Sequence, residues 1–312
     1  MEKFINTSTI QHLTAIVVYV LMVVYTIAKK KEIHRTTRRS TAEFILVMVV
    51  LWILILANLI QLGTEFLGLA FSQSALTFDR MVHYLNIFSL AGIILLLISN
   101  KIVLKPVCRP QRILAIGAHP DDIEIAAGAT LAKQRDSGNY VYGLILTNGQ
   151  VGGNGSKRKL EAGDGAVFLG LDDFKISDFP DTRLHEYPNE ILKEIESTIN
   201  QIKPDIIYTH SAHDIHQDHQ VVHDATLRAA RRSSNILCYE SPSASLDFIP
   251  QYFVEVSDYV EVKIEAIRSH WDQRNKPYMK PEKVRSKLAF RGEQARVDFA
   301  EGFEVVRMVS IS

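Results

Sequence analysis

Long, nearly unbroken apolar runs fill the first hundred residues, and beyond about residue 105 they give way to short apolar runs separated by amphipathic stretches. Three of the long runs, Ile10–Ala28, Phe44–Leu62 and Tyr84–Leu104, approach the roughly 20 apolar residues that cross a bilayer, and predict three transmembrane helices. The first is not a cleaved signal peptide, because its lysines follow the apolar run and no A-x-A-like site appears. The basic loop KKKEIHRTTRR (29–39) and Lys101, Lys105, Arg109 and Arg112 predict a cytoplasmic face, with the N-terminus outside. The expected organisation is a membrane anchor over 1–105 and a cytoplasmic catalytic domain over 106–312.

In the second half the period alternates. RILAIG (112–117), YVYGLILT (140–147), a short run near 174–177, PDIIYT (204–209), NILCYE (235–240) and YFVEV (252–256) read as strands. Between and after them, helical spacing covers about 123–136, 157–169 (stopped by Gly170), 189–201, 216–231, 259–269 and 281–290. Strands alternating with such helices predict an α/β, Rossmann-like, mostly parallel sheet with helices on both faces. Ligands bind such sheets beyond the carboxyl ends of the strands.

Composition narrows the chemistry. Basic and acidic residues balance at 35 each, and no basic face interleaved with aromatics appears in the second half, so nucleic acid is not an expected partner. Cys108 and Cys238 alone give neither a disulfide framework nor a thiolate metal site. The turn after the first strand, G-A-H-P-D-D, lacks G-x-G-x-x-G and cannot cradle a dinucleotide, and the glycine-rich NGQVGGNGS (148–156) reads as a flexible loop.

Two segments at the predicted strand ends carry reactive side chains. AHPDDIE (118–124) holds His119, Asp121, Asp122 and Glu124, and HSAHDIHQDHQVVH (210–223) holds five histidines with Asp214 and Asp218. His216, His219 and His223, spaced three and four apart, share one helical face. Imidazole and carboxylate together suit a catalytic divalent ion, either zinc or non-haem Fe2+.

With these motifs on an alternating α/β chain, residues 111–312 resemble the PIG-L/LmbE-like family of metal-dependent de-N-acetylases. The resemblance implies a Zn2+ site and removal of acetyl from N-acetylglucosamine-type amides. It implies His119, Asp122 and His219 as metal ligands, Asp121 as general base and His216 as the group that steadies the oxyanion. Asp218 then orients a histidine, and Arg158, followed by Glu161 in the family's R-x-x-E, is associated with substrate; Glu124 is a further supporting candidate. Gln217 stands where the family usually has proline. The anchor makes a glycolipid at the bilayer the expected substrate. The alternatives are an N-acetylated conjugate in solution, or a membrane-tethered metal sensor, for which Asp121 has no use.

Overall fold

The computed structural model describes residues 7–28, 41–67, 77, 80–89, 110–233 and 235–309. The chain divides into two compact units, Met1–Val103 and Leu104–Ser312. In the first, α1 (Thr7–Ala28) and α2 (Thr41–Phe66) pack through Tyr19, Val23, Leu51, Leu54 and Ile55. Polar side chains are buried with them: His12 Nδ1 lies 2.8 Å from Asn58 Oδ1, while Asn58 Nδ2 and Tyr19 Oη each donate to Asn86 Oδ1 at 3.1 Å.

This first unit corrects the sequence reading. Among the described residues no helix is long and apolar enough to cross a membrane. An apolar run is common to membrane spans and to helices that bury a face on a partner, and α1 and α2 do the second. The three-span anchor, the outside N-terminus and the cytoplasmic placement that followed from them are therefore withdrawn. The basic loop at 29–39, and the third expected span from residue 90 onward, lie outside the described residues.

The second unit follows the predicted alternation. It runs β1 (Arg112–Gly117), α3 (Asp122–Asp136), β2 (Tyr140–Thr147), α4 (Gly155–Leu169), β3 (Asp173–Phe179), α5 (Pro188–Ile202), β4 (Ile206–His210), α6 (Gln217–Ala229), β5 (Ile236–Tyr239), β6 (Tyr252–Glu255), α7 (Val260–Arg268), α8 (Pro281–Ala295) and β7 (Ala300–Arg307). The sheet order is β3-β2-β1-β4-β5-β7-β6. The pairings from β3 to β5 are parallel, and β7 pairs antiparallel with β5 and β6.

The core lies on both faces, as the unbroken apolar letters of β1 and β2 require. Side chains alternate along each strand, so Ile113 and Ala115 pack against α3 and α7 on one side. Leu114 and Ile116 pack against α5 and α6 on the other. Sheet order reverses between β1 and β4, which opens a crevice at their carboxyl ends. Both motifs begin there.

Candidate active site

The turn after β1 is closed by its own residues. His119 N donates to Asp122 Oδ2 (2.7 Å), Asp122 N donates to His119 O (3.3 Å), and Asp122 opens α3. Between them Asp121 is held at φ 121°, ψ −21°, a backbone state that costs a non-glycine residue about 1–3 kcal/mol. Its carboxylate is buried. Across the crevice β4 ends at His210, and His216 caps α6 by accepting from Asp218 N through Nδ1 (3.2 Å). A neutral His216 therefore carries its proton on Nε2, where it can donate.

Three ligand-type side chains converge between these ends. His119 Nδ1 lies 3.3 Å from His219 Nε2, His219 Nε2 lies 3.4 Å from Asp122 Oδ1, and His119 Nδ1 lies 3.5 Å from Asp122 Oδ2. Ligand bonds of about 2.0–2.1 Å at tetrahedral angles put ligand atoms about 3.3–3.4 Å apart, the size of these separations, with His119 and His219 facing different oxygens of Asp122. The outer ring nitrogens are already engaged. His119 Nε2 faces Asp181 Oδ1 (3.1 Å) and Asp218 Oδ2 (3.2 Å), and His219 Nδ1 faces Asp214 Oδ2 (2.8 Å). Donation outward leaves a lone pair inward on each ring, as ligation requires.

The electrostatics call for a cation at the same place. Burial alone would push His119 down, but its hydrogen bonds with Asp122, Asp181 and Asp218 lift it well above the usual imidazole range. Burial likewise opposes charge on Asp122, yet His219 and His210 hold it well below the usual carboxylate range. Positive charge, as protons or as a divalent ion, is what these carboxylates select. Asp121 behaves differently: burial raises it, and Arg158 only partly offsets that. Two adjacent carboxylates are thus driven apart, one favoured in its charged form and one better able to accept a proton.

The other expected residues are placed as follows. Asp218 is fully buried and accepts from Thr182 N (2.7 Å) and Leu184 N (3.3 Å) as well as meeting His119. Arg158 is buried, with Nη1 donating to Gly149 O (2.8 Å) and Nη2 to Pro120 O (2.8 Å) and Asp121 Oδ1 (3.2 Å). Glu161 accepts from Asp272 N (3.1 Å). Glu124 is not brought to the ligand cluster; it is buried with Oε1 3.3 Å from His270 Nε2. His223 Nδ1 lies 2.8 Å from His210 O. The glycine-rich loop is tied down where flexibility was expected: Val151 N donates to Asp181 Oδ2 (2.8 Å) and Asn154 N to Asp272 Oδ2 (2.9 Å).

Sequence reasoning gave no role to Asp181, Asp214, Ser241, Ser243 or Tyr278. Asp214 accepts from Ser241 Oγ (2.5 Å), Ser243 Oγ (2.6 Å) and His216 N (2.9 Å), which fixes the carboxylate that orients His219. Asp181 follows β3, and a carboxylate just past a strand's carboxyl end was the available signal. The cluster opens into a cavity of about 390 Å³ whose lining includes Asp121, Arg158, Asp181, His216 and Tyr278.

The family model described as PIG-L, GlcNAc-PI de-N-acetylase, matches residues 114–230. The chain is 37% identical over 180 residues to the uncharacterized deacetylase YaiS of Escherichia coli (strain K12), covering 55% of this chain and 97% of that one. It is 33% identical over 188 residues to the diacetylchitobiose deacetylase of Thermococcus kodakarensis, covering 52% and 70%. Among solved structures, the conserved protein TT1542 from Thermus thermophilus shares the fold, with a TM-score of 0.57 at 23% identity over 65% of this chain and 97% of that one.

Proposed function

The chain belongs to the PIG-L family of de-N-acetylases and is an amide hydrolase, and we propose that it removes acetyl from an N-acetylglucosamine-type amide with catalytic machinery confined to residues 106–312. The observation that carries this reading is the mutual approach of His119, Asp122 and His219 to 3.3–3.5 Å, with His210 Nε2 a further 3.2 Å from Asp122 Oδ2, beside a buried carboxylate, Asp121, that takes no part in it. The three clustered residues would hold a divalent ion, zinc by ligand type. Such an ion supplies Lewis acidity toward water and the acetyl carbonyl.

Asp121 accepts a proton from the attacking water as its oxygen bonds to the acetyl carbon, and passes that proton to the departing amine as the C–N bond breaks. The products are acetate and the free amino sugar. Burial equips Asp121 for both halves by raising its proton affinity, and Arg158 offsets that in part by favouring the ionised carboxylate. His216 donates from Nε2 to the oxygen on which charge develops, a contribution whose loss typically costs about a hundredfold or more. Asp181 and Asp218 keep the His119 ring turned, and Asp214 does the same for His219. A metal sensor would need the ligands but not Asp121.

The glycolipid carrier rested on the membrane anchor and goes with it, leaving an N-acetylglucosamine-containing conjugate as the substrate class. Acetate release from N,N'-diacetylchitobiose by the full chain tests the proposal. Chelation abolishes it and Zn2+ restores it; turnover by chain shown to be free of metal would contradict the reading.

A further inference from the structure

A second cavity, of about 300 Å³, adjoins the catalytic one among α3, α7, α8 and β7. Ile125, Pro242 and Tyr278 line both, so a ligand held at the catalytic cluster can continue past them. Its walls are largely apolar, with Ala126, Val284 and Leu288 among them, but its charges do not balance. Four cationic side chains, Lys263, Lys283, Lys287 and Arg291, meet two carboxylates, Glu240 and Glu301.

Both carboxylates are committed. Glu301 pairs with Lys263 Nζ (2.5 Å) and accepts from Ala129 N (3.1 Å) and Thr130 N (2.7 Å). Glu240 takes Arg291 Nε (2.9 Å), while Lys287 Nζ stands 3.7 Å from its other oxygen and donates to its backbone carbonyl (3.0 Å). Lys283 makes no ion pair among the described residues. The Lys287 side chain is 37% exposed, and loss of solvation, with Lys263 and Arg291 nearby, pushes it down to about 8 against the pull of Glu240. A cation that loses solvation without gaining a full counter-charge favours an added anion.

We propose that this cavity is a subsite for the part of the substrate beyond the N-acetylglucosamine unit, and that Lys283 and Lys287 select an aglycone bearing an anionic group, carboxylate or phosphate, on an otherwise apolar frame. The assignment rests on the de-N-acetylase reading for what occupies the neighbouring cluster.

Binding to the chelator-treated full chain tests it without turnover. Calorimetry compares N-acetylglucosaminyl L-malate and N-acetylglucosamine 1-phosphate with uncharged N,N'-diacetylchitobiose, for the wild type, for Lys283→Ala at its exposed position, and for Lys287→Gln. We expect at least one anionic glycoside to bind more tightly than the neutral one, and each substitution to erode that preference about tenfold, the worth of one charge-assisted hydrogen bond. Preference for the malate or for the phosphate identifies the anion. Equal affinities in the wild type, or parallel losses for charged and neutral glycosides, would overturn the subsite. Lysine-dependent binding without acetate release from the metal-loaded enzyme would instead count against the hydrolysis and leave the subsite standing.

Discussion

Asp214 is the most informative residue to perturb, because it touches the ligand cluster only through His219. Its Oδ2 lies 2.8 Å from His219 Nδ1, and its carboxylate is itself gripped by Ser241 and Ser243. Asp214→Asn keeps the volume and one acceptor oxygen while removing the charge. The lost charge-assisted bond is worth about 1.5–3 kcal/mol, which corresponds to roughly 10–150-fold in affinity. Supporting carboxylates of metal-bound histidines generally cost about 10–100-fold when removed, so the two routes agree. Zinc affinity, measured by competition with a chromophoric chelator on the full chain, should weaken by that factor. Ser241→Ala, which removes one of the two hydroxyl donors, should give a smaller loss in the same direction. An unchanged zinc affinity in Asp214→Asn would refute the claim that Asp214 sets the His219 tautomer for ligation.

Gly149→Ala should destabilise the chain by about 1–3 kcal/mol in urea and slow turnover: Gly149 sits at φ 67°, and an added Cβ would lie 2.1 Å from Arg158 Nη1. Glu255 gives a pH prediction. Burial favours its neutral form, but Lys133 and Ser257 hold it down to about 2 from an ordinary 4.5. A depressed carboxylate stabilises the fold above its unfolded value and loses that contribution as pH falls through its folded value, here between about 4.5 and 2. With 43% of the side chain exposed, solvent limits the effect to about 1 kcal/mol or less. Glu255→Gln should therefore flatten acid unfolding in that window while leaving stability below pH 2 unchanged.

How much of this was legible in the sequence depends on how local the signal was. The strands β1, β2 and β4 announce themselves as short apolar runs, and the pairing of AHPDDIE with HQDH follows once both are put at the crevice between β1 and β4. The antiparallel strand β7 was not anticipated: its exposed half reads as irregular, and its burial depends on β5 and β6 flanking it. Asp181 and Ser243 had no motif around them, and they reach the cluster only because β3 and β5 end at the same edge. The resemblance associated Arg158 with substrate but did not show that its guanidinium bridges two backbone carbonyls and Asp121. The apolar runs near the N-terminus misled most, since hydropathy records that a helix has an apolar face and not what covers it.

The proposed chemistry turns on Asp121 acting as the base and not as a ligand. Acetate release from N,N'-diacetylchitobiose by Asp121→Asn, assayed at a measured metal content, tests that most directly. A base outside the ligand set predicts wild-type zinc stoichiometry with turnover reduced about 10²–10⁴-fold. Near-wild-type turnover in the metal-loaded variant, or a variant that no longer retains zinc, would contradict it.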